Sequence, residues 1–246
     1  MEKLVVLLAL LASGSGERQD LSGKVFTFPE ESAVSYVKLF PEKDGPYNDV
    51  TVCLRYATDL QRNYALFSLS TREHDNGFLI FKNPSGQYNV WRAGKELTLK
   101  HMAEEKELLP WTHVCATWDS VTGIAQLWVN GKGSVRKGVK TSGSIQAKPF
   151  ILLGQEQDSY GGSFDKGQSF VGQISNVHMW DRVLSPCEIW TIYTGRTSEP
   201  SNVLSWKSMQ FEIEGYVILE NEIVQDLCMS PRNNPHDQIK NIQYGL

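Results

Sequence analysis

The sequence contains little cysteine, no excess of positive charge and only one long hydrophobic run. Four cysteines among 246 residues are too few for a disulfide-rich scaffold. No C-x-x-C pair is present, which excludes a thiolate zinc site and a thioredoxin-type redox centre. With 24 Lys and Arg against 28 Asp and Glu, the net charge is −4, so no general binding of nucleic acid is expected. The G-x-S-x-G, H-E-x-x-H and P-loop motifs of several enzyme classes are also missing.

Residues 1–16 have the layout of a secretory signal peptide. Lys3 provides an early positive charge, residues 4–12 form an unbroken apolar run, and the small residues of ASGSG follow. This run is too short to span a bilayer, and no second hydrophobic segment follows it. We therefore expect the mature chain to be secreted and extracellular, with no membrane span.

Short apolar and aromatic runs alternate with turn residues along most of the mature chain. This pattern is typical of β-strands, and Asn130-Gly131 directly after LWV is a strong hairpin signal. The predicted strands cover residues 25–28, 49–57, 65–69, 78–81, 88–91, 112–118, 124–129, 150–153 and 171–180.

One helix is predicted to begin after Ser185. Ser185 is a good N-cap, Pro186 suits the first helical position, and Glu188 completes a capping box. Gly195 ends the helix, whose predicted apolar face consists of Ile189, Trp190, Ile192 and Tyr193. Many strands and one short helix predict an all-β fold, a two-sheet antiparallel jelly-roll sandwich of the concanavalin or lectin type.

The densest polar cluster covers residues 154–168, directly after a predicted strand. Glu156 and Asp158 are two residues apart, so on an extended backbone their carboxylates face the same side. Such a pair repels unless a cation or a proton intervenes, and Asp165 and Gln168 bring further oxygens. Calcium takes roughly six to eight oxygen ligands, which this segment can supply. A solvated acidic loop explains the same spacing.

A sandwich-fold glycan-binding lectin or a glycoside hydrolase is the alternative function. Some glycosidases of this fold carry Glu-x-Asp-x-x-Glu, and Glu156 and Asp158 match its first half. Retaining chemistry needs a second carboxylate about 5 Å from the first. Gly161 stands where that second Glu would be, so no catalytic residue is predicted.

A specific motif then connects the chain to a known family. Residues 113–120, HVCATWDS, match the H-x-C-x-[ST]-W-x-[ST] signature of the pentraxins, and residues 153–162 and 176–193 also resemble short pentraxins. The resemblance runs from about residue 20 to about residue 219. It implies a pentraxin domain over residues 17–220 and a cyclic homopentamer without enzymatic activity. Residues 221–246 are then a C-terminal extension, which we expect to be poorly ordered.

The resemblance also implies calcium-dependent recognition in innate immunity and the acute phase. Expected ligands are phosphocholine, phosphoethanolamine and related anionic or polysaccharide molecules, and a complement recognition component is an expected partner. Two calcium ions per subunit would be held by the side chains of six residues and the backbone carbonyl of a seventh, Gln157. The six are Asp75, Asn76, Glu156, Asp158, Asp165 and Gln168.

Further residues take roles from the same resemblance. Cys53 and Cys115 correspond to the disulfide that pentraxins share. Phe81 aligns with a ring that packs against choline methyl groups, and Glu96 aligns with a carboxylate near the ammonium. Trp91 stands where relatives have a small residue or a Tyr, and would either add a wall to the pocket or fill it. Cys187 and Cys228 are extra, and their pairing stays open.

Overall fold

The computed structural model describes residues 17–84, 86–100, 111–138, 143–196 and 200–223. The predicted signal peptide, most of the predicted extension and Cys228 lie outside these residues. The strands are β1 (Lys24–Phe28), β2 (Tyr36–Phe40), β3 (Asp49–Ala57), β4 (Tyr64–Ser70), β5 (Phe78–Lys82), β6 (Gln87–Arg92), β7 (Lys95–Lys100), β8 (Thr112–Asp119), β9 (Ile124–Val129), β10 (Lys132–Gly133), β11 (Lys137–Gly138), β12 (Phe150–Leu153), β13 (Gly172–Trp180), β14 (Gln210–Glu214) and β15 (Ile218–Asn221), and the helix is α1 (Pro186–Tyr193).

The strands form two antiparallel sheets that pack face to face. The eight-stranded sheet has the order β10-β9-β8-β3-β13-β1-β15, with β11 also paired to β9. The seven-stranded sheet has the order β14-β2-β12-β4-β5-β6-β7. Large apolar side chains fill the space between the sheets; Phe26, for example, meets Trp206 edge-to-face at 5.5 Å between ring centroids. This architecture confirms the predicted jelly-roll sandwich.

The predicted strands are all found, with ends that differ by at most one residue. Asn130 and Gly131 have φ of 47° and 74° and join β9 to β10, as the hairpin signal predicts. The strands that sequence patterns missed include β7 and β14, which lie at sheet edges and carry many charged residues. The last strand, β15, continues to Asn221, and Glu222 then pairs with Arg55 at 3.0 Å.

Helix α1 begins with the expected capping box. The Ser185 side chain accepts from the Glu188 amide, and the Glu188 carboxylate accepts from the Ser185 amide at 2.7 Å. The predicted apolar face is only partly buried: Ile189 is inaccessible to solvent, whereas Trp190 is 48% exposed. The helix lies on the outer face of the eight-stranded sheet, so only the side turned towards the strands is covered.

A disulfide lies beneath this helix. Cys53 and Cys115 are directly opposite each other in β3 and β8, and their sulfur atoms are bonded. Both are fully buried in a cluster that includes Ile189 of α1. His113 Nε2 lies 3.8 Å from the Cys115 sulfur, but the bonded sulfurs leave no thiolate to hold a metal with it. Cys187 is exposed and has a free thiol.

Replacing Cys53 and Cys115 together by Ala should lower the free energy of unfolding by about 4 kcal/mol. The bond closes a loop of 62 residues and so restricts the unfolded chain, and this value is the upper limit of the loop-entropy model. Urea unfolding followed by tryptophan fluorescence measures the change, with Cys187→Ala as the control that should keep the wild-type midpoint. A double variant as stable as the wild type would contradict the structural role of this bond.

Candidate functional site

The segment between β12 and β13, residues 154–171, turns back over the outer face of the seven-stranded sheet. Gly154 makes the turn with φ of +89°, and a Cβ atom there would lie 2.3 Å from the Phe28 ring. Only glycine fits this position. The Phe170 amide donates to the Gly154 carbonyl at 2.9 Å and closes the base of the segment.

Two buried amide side chains attach this segment to the sheet. Gln157 donates to the Ser68 hydroxyl at 3.0 Å and accepts from the Ser70 hydroxyl at 2.7 Å and from the Gly161 amide at 3.0 Å. Gln155 donates to two backbone carbonyls of the β1–β2 connection, at 2.7 and 2.9 Å. The side chain of Gln157 is therefore fully used in structure, which leaves its backbone carbonyl for a ligand role.

Arg62 fixes the far end of the segment. Its guanidinium donates to the carbonyls of Gly167 at 3.1 Å and Ser169 at 2.7 Å, and pairs with Glu31 at 2.9 Å. The Asp165 carboxylate accepts from the Gly167 amide at 2.8 Å and caps a short 3-10 turn that carries Gln168. The residues at positions 165–169 thus have defined positions relative to the sheet.

A cavity of about 290 Å³ lies between this segment and the outer face of β5, β6 and β7. It brings together four of the predicted calcium ligands and all three residues of the predicted ligand pocket. Its lining consists of Asn63, Asn76, Leu79, Phe81, Asn83, Asn89, Trp91, Glu96, Glu156, Asp158 and Gln168. Asp75, Gln157 and Asp165 do not line it, although Asp75 precedes Asn76 and accepts a hydrogen bond from its amide at 2.7 Å.

Oxygen atoms without partners are concentrated at this cavity. Four buried oxygens of its lining accept no hydrogen bond from the described part of the chain: Asn76 Oδ1, Asn89 Oδ1, Glu156 Oε2 and Gln168 Oε1. Buried polar atoms are normally paired, so these exceptions indicate a ligand with positive charge or hydrogen-bond donors. All but Asn89 were predicted to bind calcium.

Burial, together with the neighbouring carboxylates, raises the pKa of Glu156. Burial is the largest cause, and the negative charges of Asp158, Asp75 and Asp165 act in the same direction, against a hydrogen bond with Asn76; the resulting pKa is about 7. The four acidic side chains are therefore close enough to repel one another. A bound cation would remove this repulsion, as carboxylate and amide oxygens are the ligands that calcium prefers.

The register of β5, β6 and β7 determines which side chains form the other wall of the cavity. Phe81 is opposite Asn89, and Trp91 is opposite both Leu79 and Glu96, so these side chains share the outer face of the sheet. Asn89 donates to a Glu96 carboxylate oxygen at 2.6 Å and holds it at the cavity. Phe81 is only 8% exposed, and the partly buried Trp91 packs against its cluster and offers the more accessible ring.

Four residues at this cavity were not predicted. Leu79 and Asn89 lie two positions before Phe81 and Trp91 in their strands. Since residues two apart in a strand share a face, the alternation could have predicted that both lie at the cavity. Asn63 and Asn83 lie just outside strands β4 and β5, where no pattern in the sequence points to the cavity.

Comparison with known proteins identifies the family. The model of the pentaxin family matches residues 24–221. Serum amyloid P-component from Bos taurus is 44% identical over 222 residues, covering 89% of this chain and 98% of that protein. The protein of the same name from Homo sapiens is 45% identical over 201 residues, covering 82% of this chain and 88% of that protein.

Solved structures agree with this comparison. A heptameric pentraxin from Limulus polyphemus, similar to serum amyloid P, superposes with a TM-score of 0.74 at 25% identity, covering 82% of this chain and 96% of that chain. Within the described residues, no helix has the length and apolar character needed to cross a membrane. On the evidence of the family model, the relatives and the shared fold, this chain belongs to the pentaxin family.

Proposed function

We propose that the protein is a secreted, calcium-dependent pattern-recognition protein of innate immunity. Its ligands are phosphocholine, phosphoethanolamine and related anionic or polysaccharide molecules. The observation that carries this proposal is the group of four unpartnered buried oxygens beside a cavity with an aromatic wall. The serum amyloid P-components, named for serum, support an extracellular location.

Two calcium ions would be held by the segment after β12 and the loop between β4 and β5. The side chains of Glu156, Asp158 and Gln168 face the cavity, and the Gln157 carbonyl follows Glu156 in the chain. Asp75, Asn76 and Asp165 would complete the set. When bound, calcium supplies the positive charge that phosphate oxygens need in an otherwise acidic cavity. The hydrogen bonds of Gln157 and Arg62 fix the segment that carries the ligand oxygens and so hold those oxygens in place.

The wall of β5, β6 and β7 suits a quaternary ammonium group. Trp91 presents an accessible ring face, Phe81 backs the same cluster, and Glu96 adds a negative charge held by Asn89. Aromatic faces attract methylammonium groups, and a carboxylate adds Coulomb attraction. This arrangement favours one orientation of phosphocholine, with its phosphate near the carboxylates and its choline group near Trp91.

A cyclic homopentamer and a complement recognition component as partner complete the proposal. The Limulus pentraxin is a heptamer, which supports ring assembly in general and leaves the subunit number to measurement. Sedimentation velocity of the purified protein gives that number.

Glu156→Gln combined with Asp158→Asn should abolish calcium binding. The variant keeps only two of the four carboxylates proposed for two divalent ions, and it loses the two that line the cavity. Calcium at about 100 times its dissociation constant stabilises the fold by about 2.7 kcal/mol, so chelation should lower the wild-type melting temperature by about 5 °C or more. Differential scanning calorimetry with and without EDTA measures this shift.

Asp59→Asn is the matched control for these substitutions. Asp59 is an acidic residue outside the cavity lining, so its variant should keep the full calcium-dependent shift. Equal melting temperatures of the wild type with and without calcium would reject the calcium site, whatever the variants do.

Glu96→Lys and Trp91→Thr should each weaken phosphocholine binding by about tenfold, with calcium binding retained. The first replaces attraction of the ammonium by repulsion, and the second removes the accessible ring face. Isothermal titration calorimetry in saturating calcium measures both, and Glu30→Lys at an exposed site is the control for the charge change. Tighter binding by Trp91→Thr would mean that the ring fills the pocket; unchanged affinity in both variants would place the headgroup elsewhere.

A further inference from the structure

A second cavity, of about 460 Å³, lies on the outer face of the eight-stranded sheet beside helix α1. It contains no residue of the calcium site. Its charged and titratable lining consists only of basic residues and imidazoles, with no Asp or Glu among the described residues: Arg55, His113, His178, Arg196 and Lys207. A concave site with one sign of charge concentrates ligands of the opposite sign.

A buried imidazole at this cavity has an unpartnered nitrogen. His113 is 6% exposed, and its Nδ1 has no hydrogen-bond partner in the described part of the chain. Its Nε2 lies 3.8 Å from the sulfur of Cys115, a weak partner. A bonded sulfur has no hydrogen and is a poor acceptor, so it does not hold the ring proton on Nε2. The tautomer with its proton on Nδ1 can therefore donate to a ligand.

His178 has its ring oriented by the protein. Its Nδ1 is 3.0 Å from the Ser201 hydroxyl and 3.5 Å from the Trp206 amide. An amide can only donate, so Nδ1 accepts and the ring proton belongs on Nε2. Both imidazoles are thus neutral N–H donors near neutral pH: burial lowers the pKa of His178 to about 4, and Lys207 adds to that.

The electrostatic field inside the cavity is positive. Burial lowers the pKa of His113 to about 4, and the positive charge of Arg55 acts in the same direction. Arg55 pairs with Glu222 at 3.0 Å, which neutralises only part of this charge. Lys207 and Arg196 make no salt bridge among the described residues, although Lys207 acts on Asp20 through space.

The remaining lining suits an organic group attached to the anion. Trp180, Ile192 and Pro200 provide apolar surface, and Ser205 adds a hydroxyl. Tetrahedral oxyanions are small compared with about 460 Å³, so the cavity also accommodates a sugar-sized carrier. Inorganic ions would use only the basic part of the lining.

We propose that this cavity binds a phosphate or sulfate monoester without calcium. Arg55, Arg196 and Lys207 provide the charge, His113 and His178 donate N–H groups to the oxyanion, and the apolar residues contact its carrier. The site lies on the outer face opposite to the calcium cavity, because the two sheets and their shared core separate them.

Titration in EDTA tests this site separately from the calcium site. The probes are glucose 6-phosphate, glucose 6-sulfate, inorganic phosphate and inorganic sulfate, with glucose as the uncharged control. Calorimetry should show binding of the monoesters, weaker binding of the inorganic ions and none of glucose. The imidazole carbon-bound proton signals of His113 and His178 should shift in NMR spectra while that of His74 stays in place.

Arg196→Ala combined with Lys207→Ala should weaken monoester binding by about tenfold or more, the effect of losing charge-assisted hydrogen bonds. Lys132→Ala combined with Arg136→Ala removes the same charges from exposed positions outside the cavity and should leave the affinity unchanged. No binding to the wild type in EDTA, equal weakening in both double variants or unshifted His113 and His178 signals would each overturn the proposal. A phosphocholine affinity that depends on calcium is unaffected by any of these results.

Discussion

The candidate calcium site depends on one constraint: the segment after β12 must fold back against its own sheet. Gly154 permits the turn, and Gln157 holds the segment through hydrogen bonds to Ser68 and Ser70, which are small and fully buried. Glu156 precedes Gln157 and is therefore carried into a buried position, where a negative charge is costly unless a proton or a cation accompanies it. We therefore attribute the proposed affinity of this cavity for cations to the hydrogen bonding of a neutral amide.

The two outer faces of the sandwich carry opposite charge. One cavity collects carboxylates around Glu156, and the other collects cations and imidazoles around His113. In our two proposals, each face would bind anionic ligands by a different physical route, the first through a divalent ion and the second through direct hydrogen bonds. The shared apolar core holds the two charge distributions on opposite surfaces of the sandwich, and solvent and salt screen the charges exposed there.

Local patterns in the sequence predicted most of the fold and the side of the first cavity formed by Glu156, Asp158 and Gln168. The resemblance to the pentraxins predicted Asn76, Phe81, Trp91 and Glu96. Alternation and turn chemistry identified the central strands. Edge strands such as β7 carry many charged residues, and contacts with the neighbouring strand, not an alternating sequence pattern, determine which of their side chains are buried. The spacing of Glu156 and Asp158 predicted paired carboxylates, but not that the first is buried and the second exposed, which the Gly154 turn decides. In the sequence, His113 stood out only as the first residue of the pentraxin signature, because its cavity is completed by residues distant in sequence. Membership of the pentaxin family confirms a recognition protein and not an enzyme.

The position of helix α1 over the disulfide has a kinetic consequence. Cys53 and Cys115 are inaccessible to solvent and share a cluster with Ile189, so a reducing agent cannot reach either sulfur while the helix is docked. Thiol–disulfide exchange requires direct attack on sulfur, and its rate then follows the fraction of molecules in which α1 has lifted away. The rate at which a small thiol reduces this disulfide therefore reports how often the helix opens locally. Conditions that stabilise the docked helix should also protect the disulfide from reduction.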